Sequence, residues 1–277
     1  MVYILNMTME AEQTNNVAVD GHRLKLLSYN VQVGIPANNF RHYLSNTWKH
    51  LLPFAGRSNN LDRIARFIKD FDIVGLLELD SGSIRSEFVN QPQYVAKKAG
   101  FPYVYSKTNR DLGILAQHSL AIMSHHEAIL VKEHSLPSTI PGRGALEVHF
   151  GDEKDPLVVV LAHLSLMSGA RRKQLCYLSR IVKKYRHAVV MGDLNTQIHS
   201  EELGLLFTNT TLNKPESSHH TFPSWKPRVG FDHILVTPEL KIEESEVFGL
   251  DYSDHLPVGM EVGAPSAHFS ARSRLTA

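Results

Sequence analysis

Val189-Val190-Met191-Gly192-Asp193-Leu194-Asn195 is an apolar run that stops on a glycine and two polar side chains. Its apolar half is continuous rather than alternating, as in a strand covered on both faces. Alternate side chains of an extended backbone share a side, so Asp193 and Asn195 face one pocket while Leu194 packs behind them. Gly192 either lets the backbone approach a ligand closely or relieves crowding at the strand end. Other apolar runs end the same way: LLSYNV on Asn30, DIVGLLELD on Glu78, VVVLAHLSL on His163 and YSDHLPV around Asp254 and His255, while DHILV opens on Asp232.

Outward from these motifs, β-type runs cover 24–31, 73–77, 120–123, 128–133, 145–150, 157–161, 188–191, 233–236, 242–247 and 258–262. Helical periodicity marks 60–70, 92–99 and 170–185. Several strands follow one another with no helix between them. The pattern therefore predicts an α/β fold, a two-sheet α/β sandwich with flanking helices, over a regular βαβ alternation. Polar, unpatterned ends suggest a flexible segment at 1–20, a disordered tail at 264–277 and one catalytic domain over 21–263.

At 277 residues and 43% hydrophobic composition the chain can build a substantial core. Its 29 Lys plus Arg against 28 Asp plus Glu leave a net charge of +1, which excludes whole-molecule attraction to polyanions. Cys176 has no cysteine partner and reads as a small buried residue of a helix. The N-terminus lacks a basic signal-peptide region and no run approaches the ~20 apolar residues of a membrane span. A cytoplasmic protein with no obligate protein partner is the expectation, with peripheral membrane contact left open. The 16 histidines bring no HExxH and no Cys/His ligand spacing, so a zinc enzyme is not expected.

Glu78 follows a five-residue apolar run, where an ionised carboxylate is costly unless paired, metal-bound or at the solvent edge. It suits a hard cation such as Mg²⁺, with Mn²⁺ as a substitute, because Mg²⁺ takes few protein carboxylates and keeps water and phosphate oxygens. Alone, Glu78 would equally be a surface carboxylate, and Asp80 could support it from the same side. His255 has the right intrinsic pKa for a general base, and Asp232 is the carboxylate type that orients such a base. His163 can donate to a phosphate oxygen, or sit in the core as an ordinary buried histidine.

These residues, in this order from Leu26 to Val262, resemble the endonuclease/exonuclease/phosphatase superfamily, the DNase I-like phosphoesterases. The resemblance implies that Asn30, Glu78 and Asp254 organise a metal site and that His163 contacts the scissile phosphate. It implies that Asp193 and Asn195 orient the attacking water and stabilise the transition state. It further implies that Asp232 orients His255 as base, and leaves open which of Asp193 and His255 takes the proton. Many relatives carry a Gly-Asn-Ala turn where this chain has Ser119, Leu120 and Ala121.

The long segment at 33–60 interleaves Tyr43 and Trp48 with Arg41, His42, Lys49 and His50. It reads either as a substrate-gripping element or as a helix packed on the core. Arg143, in PGRGAL, reaches a phosphate or is a turn residue. Arg171, Arg172 and Lys173 open a helix, where the dipole disfavours positive charge, and so hint at an anionic partner. The sequence thus suggests a Mg²⁺-dependent phosphodiesterase acting on nucleic acid, or on a phospholipid, lipid headgroup or small metabolite. A catalytically inactive binding module is the reading from another class, and the complete polar set argues against it.

Overall fold

The computed structural model describes residues 21–36, 56–111, 113–138, 142–216 and 219–265. In chain order, the first half forms β1 (Gly21–Asn30), α1 (Gly56–Ile68), β2 (Ile73–Asp80), α2 (Gln91–Ala99), β3 (Tyr103–Asp111), β4 (Gln117–Ser124), β5 (Ala128–Ser135) and β6 (Gly144–Phe150). The second half forms β7 (Leu157–His163), α3 (Ser168–Val182), β8 (His187–Asp193), α4 (Glu201–Asn209), β9 (Asp232–Val236), β10 (Lys241–Val247) and β11 (Val258–Pro265).

One sheet runs β10-β11-β1-β2-β4-β3 and the other β5-β6-β7-β8-β9. Among the described strands, β1 with β2 and β7 with β8 pair in parallel and the rest antiparallel. The central apolar runs are continuous because those strands feed two cores, whereas β5 and β10 lie largely exposed at the sheet edges. In β7, Leu157, Val159 and Leu161 enter the layer between the sheets, whereas Val158, Val160 and Ala162 meet the outer helices. Helices α3 and α4 cover that sheet through Leu175, Leu178, Leu203 and Leu206. Helix α1 covers the other sheet through Leu61 and Ile64, and α2 through Val95. This is the expected α/β sandwich.

Two elements go beyond the sequence reading. Strand β3 is an edge strand of mixed polarity, so it lacks an apolar run. Helix α4 is started by Ser200, whose hydroxyl accepts from the Leu203 amide at 3.1 Å, with Glu201 and Glu202 in its first turn. Strand β11 continues through Ala264 and Pro265, two residues past 263, while 1–20 and 266–277 lie outside the described residues. Cys176 is half-buried rather than enclosed. Among the described residues no helix is long and apolar enough to cross a membrane.

The exit of β2 is tied down by Asp80 rather than opened toward a site. Its carboxylate accepts from the Gly82 and Ser83 amides at 2.9 and 2.7 Å and from the Ser83 and Ser86 hydroxyls at 2.7 and 2.8 Å. It also pairs with the buried Arg85. Burial pushes the Asp80 carboxyl up, but Arg85 and the two serines outweigh it and bring it down to about 2.

A carboxylate held below its unfolded value of about 3.9 stabilises the fold fully above that pH, and the contribution is lost as pH falls toward about 2. Asp80→Asn is therefore expected to cost about 2–3 kcal/mol at pH 7 and much less near pH 2.5. Urea denaturation at the two pH values checks this. An equal loss at both would remove the charge of Asp80 from the account.

Candidate active site

The register of the five-stranded sheet builds one row: Gly144 opposite His163, His163 opposite Asp193, and Asp193 opposite Asp232. Directly paired residues share a face. Leu161, Met191 and Ile234 precede or follow this row by two positions and belong to the inter-sheet core, so the row faces the mouth of the sandwich. The mouth lies beyond the carboxyl ends of the parallel strands, where open α/β sheets place ligands.

Asn30 ends β1 on the facing sheet, and β2 contributes Glu78 through an irregularity. The pairing of β2 with β4 shifts between Leu76 and Leu79, and Glu78 has φ 57°. Leu77 belongs to the inter-sheet core but Leu79 to the outer one, so the bulge reverses the alternation there. Glu78 is thereby brought within 3.8 Å of His163 Nε2 on the other sheet.

Asp193 is the centre of the cluster. Its Oδ2 accepts from Asn30 Nδ2 at 3.3 Å and lies 3.5 Å from His163 Nε2 and 3.9 Å from His255 Nε2. Its Oδ1 accepts from the Asn195 amide at 3.0 Å. Asn195 has φ 51°, and its Nδ2 donates to the Leu164 carbonyl at 2.9 Å, which ties the loops after β7 and β8 together. His255 Nδ1 is 2.7 Å from Asp232 Oδ2, the oxygen that also accepts from the Thr221 hydroxyl at 2.6 Å. The Phe222 ring, 4.8 Å away between centroids, flanks the imidazole.

Gly192 has φ +134°, and a Cβ there would lie 2.0 Å from the Ala162 carbonyl oxygen. The close approach that needs glycine is therefore to the neighbouring strand. Arg171 is not a free cation: it pairs with Glu202 and donates to the Ser165 and Leu166 carbonyls, both at 3.0 Å.

Burial and neighbouring charge shift the titrating groups in opposite directions. Burial, with Asp232 and Glu78 nearby, raises the Asp193 carboxyl to about 7, against the opposing pull of His255. Burial and Glu78 raise Asp254 to about 6. Burial lowers His255, but Asp232, Asp193 and Asp254 outweigh it and hold the imidazole well above its usual value. Burial and the Arg143 guanidinium lower His163 to about 3, so it is neutral. Burial raises Glu78, but His163, His255 and the Asn30 amide more than compensate.

A cleft of about 350 Å³ opens from Glu78 and His163 and is lined further by Arg143, Arg110, His118 and Leu166. Arg143 thus joins the site, whereas Tyr43 and Trp48 lie outside the described residues. Thr221, Arg110 and His118 carry no sequence signal, because each reaches the site through tertiary pairing alone.

Asp193, Asp232 and His255 offer three donor atoms within 4.8 Å of one another. His255 and Asp232 are already bonded to each other, so this trio is better described as a hydrogen-bonded pair beside a carboxylate. Asp254 and Glu78 raise the local negative charge further. Two carboxyls pushed upward in one site mark a surplus of buried anionic oxygen, which fits a hard divalent cation.

No curated protein matches the chain. Solved structures share its fold. An endonuclease/exonuclease/phosphatase family protein from Bacteroides thetaiotaomicron is 18% identical over 88% of this chain and 98% of its own, with TM-score 0.67. The mannosyl-6-phosphatase of Bacteroides thetaiotaomicron is 18% identical over 86% and 99%, with TM-score 0.64. The beta toxin of Staphylococcus aureus is 17% identical over 86% and 99%, with TM-score 0.61. The model of the Endonuclease/Exonuclease/phosphatase family matches residues 27–255. That span includes Asn30, Glu78, His163, Asp193, Asp232, Asp254 and His255, and the chain belongs to this family of phosphoesterase- and nuclease-type hydrolases.

Proposed function

We propose that this chain is a Mg²⁺-dependent phosphoester hydrolase, most directly a phosphodiesterase, with Mn²⁺ as a substitute. The observation that carries this reading is the placement of the His255–Asp232 pair beside Asp193 in a site with surplus carboxylate. Glu78, Asp254 and the Asn30 amide oxygen would hold the cation. When bound, it would neutralise charge on the phosphoryl oxygens and the leaving group.

The remaining roles fall to side chains. A water between Asp193 Oδ2 and His255 Nε2, atoms 3.9 Å apart, loses its proton to that pair, which titrates as a unit. Asp232 fixes the imidazole through Nδ1 and stabilises its charged form. Neutral His163 donates Nε2–H to a phosphoryl oxygen, Arg143 adds a fixed positive charge, and the second amide hydrogen of Asn195 faces developing negative charge.

Substrate class divides two ways. Nucleic acid fits the cationic wall of the cleft. The exposed Leu166 and Met167 on its lip, 71% and 62% accessible, favour a phosphoester with an apolar part, such as a phospholipid. The deciding assay is Mg²⁺-dependent cleavage of supercoiled plasmid beside a generic small phosphodiester, with chelator controls. Nicking would make the protein a nuclease, small-diester cleavage with intact plasmid would point to lipid or metabolite substrates, and no cleavage of either would sink the diesterase reading.

Cation binding has its own readout. Mg²⁺ at about 100 times its Kd is expected to stabilise the fold by about 2.7 kcal/mol. That is a rise of several degrees in Tm, lost in Glu78→Gln and Asp254→Asn. An unchanged Tm in the wild type would remove the cation from these residues.

A further inference from the structure

The cleft extends past the proposed hydrolytic residues onto a shelf whose Asn109 and Arg110 have no part in the proposed mechanism. Near its end, strand β3 carries Asn109 and Arg110 over the stretch Gly142-Arg143-Gly144, where β6 begins. Both glycines are required by what lies on them. An ideal Cβ on Gly142, where φ is +107°, would meet Arg110 Cβ at 2.9 Å and Cδ at 3.0 Å. One on Gly144 would lie 2.1 Å from Asn109 Oδ1. The two glycines thus seat the Asn109 and Arg110 side chains against the backbone that carries Arg143.

The charges on this shelf have no carboxylate partner among the described residues. Neither Arg110 nor Arg143 has one within salt-bridge distance there, as is also true of Arg66, Arg172, Arg180 and Arg228, but Arg110 and Arg143 stand together at the cleft. Both line the same cleft and lie close enough to repel one another. Asn109 Oδ1 is buried and finds no donor among the described residues. Two neighbouring guanidinium groups at the cleft, beside a buried amide oxygen with no donor among the described residues, are an arrangement that an anion bearing a hydroxyl would complete.

We propose that Arg110, with Asn109, forms a second anion subsite, one that takes a phosphate, or a like anion next to a hydroxyl, carried by the substrate beyond its scissile phosphoester. The inference rests on the hydrolase reading for what occupies the inner end of the cleft. Arg143 lies between the two ends, near enough to Glu78 and Asp193 to serve the inner phosphoryl group. The volume of about 350 Å³ falls in the range of pockets that hold whole small ligands rather than a single ion. A neighbouring phosphate of a polynucleotide and the second phosphate of a small bisphosphorylated metabolite present the same chemistry.

The test compares thymidine 5′-(p-nitrophenyl phosphate) with the same ester bearing a 3′-phosphate, in wild type and Arg110→Gln, at fixed free Mg²⁺. The second phosphate is expected to raise kcat/KM in the wild type by about tenfold or more, the scale of one charge-assisted hydrogen bond. In Arg110→Gln that ratio falls toward one. A wild-type ratio near one, or a ratio retained in Arg110→Gln, overturns the subsite.

Binding separates this from the hydrolase reading. Calorimetric titration with thymidine 3′,5′-bisphosphate is expected to show weaker binding to Arg110→Gln whether or not either ester is cleaved. If neither is cleaved and the binding difference persists, the subsite stands and the diesterase reading fails. Equal binding to both proteins overturns the subsite. A decathymidylate that binds with the same dependence on Arg110 assigns the phosphate to a polynucleotide, and loss of the dependence with that probe alone assigns it to a small bisphosphate.

Discussion

His255→Gln is expected to lower kcat/KM by about 10²- to 10⁴-fold, the usual contribution of a positioned acid–base group. The side chain is enclosed, its Nδ1 is held by Asp232, and its Nε2 faces Asp193, so glutamine keeps a donor toward Asp232 but supplies no titrating group. Asp232→Asn is expected to lose much of the same activity, and the double variant to be little worse than His255→Gln, because the two residues act as one unit. Steady-state kinetics on the cleaved ester, with KM and kcat resolved, provides the check. If the Asp193–His255 pair takes the water's proton, the acid limb of the wild-type pH profile is expected to change shape in His255→Gln. Retention of wild-type turnover by the purified, folded variant would exclude the proposed base.

Gly192→Ala is expected to cost about 3–5 kcal/mol, combining a left-handed backbone closed to L residues with overpacking that cannot relax. The added carbon would sit 2.0 Å from the Ala162 carbonyl oxygen, on the strand paired in parallel with it. Relief requires β7 and β8 to separate at the point where His163 and Asp193 are aligned, so activity falls along with stability. A total stability of about 5–15 kcal/mol makes that loss large. The control is Gly169→Ala in the first turn of α3, where nothing lies within 4 Å of an added Cβ and the change should stay within about 0.5 kcal/mol. Comparable denaturation midpoints for the two variants would show that β7 and β8 tolerate the insertion.

The sandwich was legible because its buried strands are continuous apolar runs with polar residues at their ends, and burial on two faces leaves that pattern whatever the partner strands are. The motif residues Asn30, His163, Asp193 and Asp232 were legible for the same reason. Strand β3 was not, because an exposed edge has little need of apolar residues, and its contribution of Asn109 and Arg110 to the cleft depends on what pairs and stacks with it. The bulge at Glu78 was equally hidden. Strict alternation would send that carboxylate to the helix-covered face, and the left-handed residue that redirects it has no glycine to announce it. Asp80 shows the converse: a carboxylate two positions from a candidate ligand, committed to Arg85 and two serines because the chain doubles back at 81–86. Tyr43 and Trp48 remain readings of the sequence.

Asn30 and Glu78 come from one sheet, while His163, Asp193 and Asp232 come from the other. On the proposed mechanism, neither sheet holds a working fraction of the candidate site. A fragment that kept one sheet intact could retain its hydrogen bonds and much of its helix cover, yet hold only half a constellation. Reactivity in this architecture is accordingly indivisible: it arises at the moment of docking and cannot be inherited by a part.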